Sequence, residues 1–191
     1  NYAMEIAGDD DEMDDNEYER IVVDIYTDWT ADSSGDFTEE IWNGDGFDND
    51  TIYIPEDAKV TLNLNGHTIN RGLTKDINDG EVIFINDDAD VIINNGTITG
   101  GWSHGGAGAI HIKNDAKVTL NNVHIVGNIS SYDGGGISLE SGSILTVNGG
   151  SFKNNGAIVG GRFWNSCGGA VCVEGGTAFF NGVEFKENIA P

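Results

Sequence analysis

Proline is almost missing from this chain, with two residues in 191. Because proline removes a ladder hydrogen bond and is confined to edges and bulges, its scarcity leaves room for long, uninterrupted sheets. Basic residues are also scarce. Nine Lys and Arg face 32 Asp and Glu, a formal charge of −23. Phosphate backbones and anionic lipid surfaces would be repelled, which argues against nucleic acid and anionic membranes as partners. No apolar run approaches the ~18 residues of a membrane span, so no membrane insertion is expected. Apolar residues at helical spacing are absent as well, which excludes a helical solenoid. The only cysteines are Cys167 and Cys172. No zinc site follows from the sequence, because nothing in it supplies four ligands at metal spacing. A loop disulfide of a secreted protein and two free thiols both remain open.

What the chain does have is a repeat. EVIFINDDADVIINNGTITG from Glu81, GAIHIKNDAKVTLNNVHIVG from Gly108 and GGISLESGSILTVNGGSFKN from Gly135 align without gaps at an offset of 27 residues. A fourth copy precedes them from Thr51. A fifth follows from Gly169, one residue shorter near Gly176. Within each copy apolar residues alternate in three short runs. Ile110 and Ile112 flank His111, Val118 and Leu120 flank Thr119, and Val123 and Ile125 flank His124. Period-2 runs joined by Gly, Asn and Asp corners, repeated in stacked units, predict one turn of a parallel β-helix per copy.

The inward columns can be written down: Ile52, Ile83, Ile110, Ile137, Val171; Ile54, Ile85, Ile112, Leu139, Val173; Val60, Val91, Val118, Leu145; and Ile69, Ile98, Ile125, Phe152, Phe185. Stacked strands lie about 4.8 Å apart, so each turn should bury the face of the next. Asn63, Asn94, Asn121, Asn148 and Asn181 share the corner after the second strand. There they are expected to take the left-handed backbone and to bond to one another in a ladder. Asn128, Asn155 and Asn188 suggest a second, shorter ladder. Corner asparagines need no ligand to explain them.

The expected organisation is one domain: an acidic, disordered tail over 1–17, an N-terminal cap over 18–50, and repeats over 51–191. The tail reading rests on Asp9, Asp10, Asp11, Glu12, Asp14, Asp15 and Glu17 in a run nearly free of apolar residues. In the cap, Ile21 to Tyr26 reads as a strand, Asp36 to Trp42 as a short helix, and Trp29 and Trp42 as residues packed on the first turn. The absence of a basic leader at Asn1 and of a polar cap at Pro191 suggests a chain that continues beyond the given sequence.

Residues Thr51 to Pro191 resemble the right-handed parallel β-helix, or pectin-lyase-like, superfamily. Gly168-Gly169-Ala170-Val171 followed by Phe185-Lys186-Glu187-Asn188, and Gly135-Gly136-Ile137 followed by Phe152-Lys153-Asn154-Asn155, resemble the GGA[ILV] and FxxN signatures of bacterial adhesin-like and polymorphic outer-membrane protein repeats. The fold expected is therefore all-β, a right-handed parallel β-helix of about five coils with an N-terminal cap. The resemblance implies a secreted or cell-surface location. It implies no activity, because one fold hosts lyases, hydrolases and plain stalks.

Enzymes of that superfamily work on the outer face of one sheet. Its counterpart here would carry Tyr53, Phe84, His111 with Lys113, Ser138 with Glu140, and Cys172 with Glu174. Glu140, Glu174 and Lys113 are the nearest match to a lyase set. Arg-x-Lys and an aspartate triplet, which the hydrolases need, are missing. A catalytic role is thus less expected within this sequence than binding. The loops entering the face hold Trp102 and His104 in GGWSHGG, Tyr132 and Asp133 in SSYDGG, and Arg162, Phe163 and Trp164 in GGRFWNSCGG. The last loop lengthens its turn from 27 to 34 residues, and such insertions tend to map to a binding face. Aromatics beside hydrogen-bonding groups suit sugar rings. The alternative is that Trp102 and Trp164 fold back over the edge of the turn. The candidate ligand-binding set is Tyr53, Phe84, Trp102, His104, His111, Tyr132, Asp133, Arg162 and Trp164, and the expected partner is a polysaccharide or cell-surface glycan. Outward threonines are too irregular for an ice-binding array. No cofactor is required; calcium is the one ion the sequence admits, at Asp45, Asp48 and Asp50 in NGDGFDND, where an Asp-rich turn is the simpler account.

Overall fold

The computed structural model describes residues 19–31, 51–158 and 167–190. Among these residues every strand pair is parallel, there is no helix, and none therefore is long and apolar enough to cross a membrane. The chain is a parallel β-solenoid. One sheet stacks Ile52–Ile54, Ile83–Ile85, Ile110–Ile112, Ile137–Leu139 and Val171–Val173. The steps between their first residues are 31, 27, 27 and 34, as 83−52, 110−83, 137−110 and 171−137 give. A ten-stranded sheet carries the second and third runs of each turn, and Asp90–Thr99 and Lys117–Val126 pass from one to the other without a break.

The alternating runs fold this way because only one residue in two can face the interior. Ile83 pairs with Ile110 and Ile110 with Ile137, while Val91, Val118 and Leu145 fall in register, as do Ile98, Ile125 and Phe152. All of these side chains are buried in one continuous core. Burial of each contributes about 1.5–3 kcal/mol. The one-residue shortening of the last turn is visible in the register. Leu139 pairs with Val173, an offset of 34, but Ile144 pairs with Thr177, an offset of 33.

Both asparagine ladders form. Asn94 Nδ2 donates to Asn63 Oδ1 at 2.8 Å, Asn121 to Asn94 at 2.9 Å, Asn148 to Asn121 at 3.0 Å, and Asn181 to Asn148 at 2.9 Å. Asn63 in turn donates to Asp24 Oδ1 at 2.9 Å. The expected left-handed backbone is not on these residues. It falls one position later, at Asn95 and Asn122 (both φ 52°), Gly149 (70°) and Gly182 (66°). The ladder residues stay extended because they still pair across strands, and the bend is taken by the next residue. The second ladder is buried at Asn128 and Asn155 and half-buried at Asn188. Asn128 Nδ2 donates to Asn155 Oδ1 at 3.1 Å and Asn155 Nδ2 to Asn188 Oδ1 at 3.0 Å.

Upstream of the repeats, Ile21–Asp24 adds a strand against Lys59–Asn63, and Trp29–Thr30 adds one against Thr68–Asn70. Trp29 packs on the core. The tail at 1–17, the helix expected at 36–42, Trp42, and the candidate calcium cluster Asp45, Asp48 and Asp50 lie outside the described residues, as do Arg162, Phe163 and Trp164.

Candidate functional site

The outward column of the five-stranded sheet runs Tyr53, Phe84, His111, Ser138, Cys172. The Tyr53 and Phe84 rings stack 5.7 Å apart at 13°, and Phe84 meets His111 edge-on at 5.1 Å. This column is covered for much of its length. Phe84 is 8% exposed, and Ser138 and Cys172 are each 1% exposed. One cover is the loop after Ser103: a Cβ added at Gly106 (φ 66°) would lie 2.7 Å from His111 Nδ1. Alternation along a strand reveals which residues point outward, but not that a glycine-rich loop folds down onto them. Phe84 consequently presents little surface to a ligand, and the Tyr53 hydroxyl accepts a bond from Asn86 Nδ2 at 2.7 Å.

Two residues beyond His111, Ser138 and Cys172 lies a charged row, Lys113, Glu140 and Glu174. Glu140 Oε1 accepts from Lys113 Nζ at 2.7 Å and His111 Nε2 at 2.9 Å, so its side chain reaches back one turn. The hydrogen bond from His111, aided by the Lys113 ammonium, holds the Glu140 carboxyl down at about 2. Glu174, one turn onward, goes the other way. Partial burial, then the charges of Asp133 and Glu140, push its carboxyl up. Beneath the loop, Glu81 is 1% exposed and burial raises it too. Ser103 Oγ lies 3.3 Å from Glu81 Oε2 and also bonds the Gly105 carbonyl. One hydroxyl proton serves one acceptor. Ser103 Oγ thus stands between Glu81 and the Gly105 carbonyl and can donate to either, linking the loop to the start of the turn.

At the rim, His104 and Tyr132 form an edge-to-face pair with centroids 5.3 Å apart at 89°. The His104 side chain is 50% exposed, and its Nδ1 lies 3.1 Å from Asp76 Oδ2. Together with Ile77 and Asn78 these two residues line a shallow open hollow of about 350 Å³. Asp76 and Asn78 were not among the candidates from sequence. They sit between Asn70 and Ile83, a stretch of 13 residues (83−70) against 11 (110−99) in the next turn, so it holds two of the four residues by which the first step exceeds 27. Backbone bonds fix that insertion: Ile77 N–H donates to Trp102 O at 3.2 Å, and His104 N–H to Ile77 O at 2.8 Å. The insertion itself was the signal that could have found them.

Trp102 lies not in a free loop but in a short strand, Trp102–Ser103, paired with Ile129–Ser130. It is half-buried, and its Nε1 is sealed from solvent with no hydrogen-bond partner among the described residues. It serves as a wall of the turn. Tyr132 and Asp133 are half-buried, their N–H groups donating to Ser130 Oγ at 3.2 and 3.0 Å. Cys167 and Cys172 are joined in a disulfide. No protein-family model matches the chain, and neither a curated protein nor a solved structure matches it.

Proposed function

We propose that this β-solenoid is an extracellular glycan-binding module, and that sugar rings sit in the hollow beside His104 and Tyr132. The observation that supports this most is the make-up of that hollow. A carboxylate, a carboxamide and an imidazole stand round a shallow depression with a phenol ring beside it. Sugars need this combination of many polar partners and a flat apolar wall, and an open rim admits a chain running past it. The charge of −23 selects against polyuronates and favours neutral or amino sugars. The relation to pectin-lyase-like and adhesin-like repeats, and the cell-surface location that goes with it, belong to the same proposal. A glycan array carrying oligomers of glucose, xylose, N-acetylglucosamine, glucosamine and galacturonate tests it. Binding to neutral or amino sugars that drops at least ~10-fold in His104→Ala and in Tyr132→Ala is expected, as for loss of a stacked contact with its hydrogen bonds. An array with no binding, or binding untouched by both substitutions, would refute it.

A second reading has one observation behind it. Glu140 is held down while Glu174 is pushed up, and carboxyls driven apart in this way are how a site divides acid from base. On this reading the chain contributes to a glycoside hydrolase. Release of reducing ends that disappears in Glu174→Gln but not in His104→Ala would favour it over binding alone.

A further inference from the structure

A place with two sulfurs and two carboxylates lies just past the covered column. Cys172 Sγ, an Asp133 carboxylate oxygen and a Glu174 carboxylate oxygen all lie within 4.8 Å of one another. Cys167 is bonded to Cys172, with their Cα atoms 5.3 Å apart. We propose that Cys167, Cys172, Asp133 and Glu174 form a redox-gated site for a thiophilic divalent cation of the Zn²⁺ type, closed by the disulfide and opened by its reduction. This does not rest on the glycan reading.

Three features carry the proposal. The first is the donor set. Two thiolates and two carboxylates make a four-ligand shell of the kind Zn²⁺ accepts. Bonds of about 2.3 Å to sulfur and 2.0–2.2 Å to oxygen put neighbouring tetrahedral ligands about 3.3–3.8 Å apart. Cys172, Asp133 and Glu174 already stand within 4.8 Å of one another, and Cys167, bonded to Cys172, would turn its freed sulfur toward them to complete the shell. The second is a scaffold that does not depend on the S–S bond. Cys172 is the middle residue of Val171–Val173, paired in register with Ile137–Leu139. Cys167 N–H donates to Tyr132 O at 3.1 Å, directly beside Asp133, and Gly135 N–H donates to Gly168 O at 3.1 Å. Breaking the disulfide therefore leaves all four donors tethered to the same two strands. The third is uncompensated charge. Lys113 is committed to Glu140, whereas a carboxylate oxygen of Asp133 and one of Glu174 lie within 4.8 Å of each other. A divalent cation would relieve the repulsion between them.

The chemistry balances with a phosphine as reductant. The S–S bond breaks, phosphorus takes an oxygen from water to become the phosphine oxide, and the two water protons end on the two sulfurs. Metal binding then forms two metal–sulfur bonds and releases both thiol protons to solvent. While the disulfide is intact, neither sulfur is a thiolate, and two carboxylates alone make a poor site for a soft ion.

The test uses the whole chain, oxidised or reduced under nitrogen with the phosphine removed, titrated with Co²⁺ and then Zn²⁺. The reduced protein should take up one equivalent with sulfur-to-cobalt charge-transfer absorption that Zn²⁺ abolishes, and the oxidised protein should show none. Asp133→Asn and Glu174→Gln should each keep the sulfur band but weaken affinity ~10-fold or more. Cys172→Ser should lose the band. Equal uptake by oxidised and reduced protein would overturn the proposal, since carboxylates alone would then suffice. Reduced-state affinity untouched by either carboxylate substitution would overturn it as plain dithiol chelation. Failure of the reduced protein to bind, or loss of its β-sheet circular dichroism on reduction, would overturn it as well.

Discussion

Replacing Asn128 by alanine should be among the most damaging single changes in this protein, and far worse than the same change at Asn121. Both residues belong to asparagine ladders, but only Asn128 is fully buried. Its Oδ1 accepts from Gly101 N–H at 3.1 Å. Its Nδ2 donates to Asn155 Oδ1 at 3.1 Å and to the carbonyls of Ile98 and Val126 at 3.2 Å each. Alanine removes all of these and leaves the buried Gly101 N–H without its acceptor. Orphaning one buried donor costs about 1–3 kcal/mol, and each further net hydrogen bond about 1 kcal/mol, so a loss of about 3–5 kcal/mol is expected. Asn121 makes one bond up and one bond down, at 3.0 and 2.9 Å, at a half-exposed corner. Water replaces both, and its extended backbone demands no special residue, so Asn121→Ala should cost only about 1 kcal/mol. Urea melts of the two variants, with m-values compared to exclude a changed unfolding unit, measure the difference. If Asn128→Ala cost no more than Asn121→Ala, burial would not be what sets the worth of these ladders, and the reasoning would fail.

Ile112, fully buried between its register partners Ile85 and Leu139, should lose about 2–5 kcal/mol on truncation to alanine in the same urea melts. Glu140 has a depressed folded-state carboxyl, so its contribution is complete above the ordinary value of 4.5 and is lost as pH falls toward about 2. A Glu140→Gln variant should therefore flatten the acid limb of the stability curve in that window. His111→Ala should move the Glu140 carboxyl back up in a carbon-detected NMR titration, because the His111 hydrogen bond is the largest cause of the depression. Glu81 has the opposite sign. The buried acid is protonated in the fold over a range where the unfolded chain has lost its proton, so stability falls as pH rises above the ordinary value of 4.5. Glu81→Gln should be more stable than the parent at neutral pH and indistinguishable from it in acid, as thermal melts at the two pH values would show.

The core could be read from the sequence residue by residue up to the last turn, where Val173 and Phe185, expected inward, are exposed because no further described turn covers them. Period 2 fixes which side chains face in, and a constant 27-residue offset fixes what stacks on what, so the Ile83–Ile110–Ile137 column needed no further information. The ladders were legible for the same reason. The site was less so, because its residues are placed by loops. Phe84 points outward as expected but is roofed over, and a strand pattern carries no information about a roof. Trp102 pairs in a strand that the sequence does not reveal, because a two-residue run is too short for alternation to register. Asp76 and Asn78 are brought beside His104 by the backbone bonds of Ile77, a loop placement that no strand pattern encodes. His111 is outward as expected and stands among the candidate binding residues, but its partners were hidden. Its bond to Glu140 and contact with Phe84 give it a role that one residue's outward orientation could not reveal.

The central claim is that sugars bind at the hollow lined by Asp76, Ile77, Asn78 and His104, beside Tyr132. The most direct measurement is a two-dimensional amide NMR titration of the whole chain with the best oligosaccharide from the array. Saturating shifts confined to the amides of 76–78, 102–106 and 130–134, with the asparagine ladder at Asn94, Asn121 and Asn148 unmoved, are the predicted result. Shifts that cluster on the ladder face instead, or that never saturate, would contradict it.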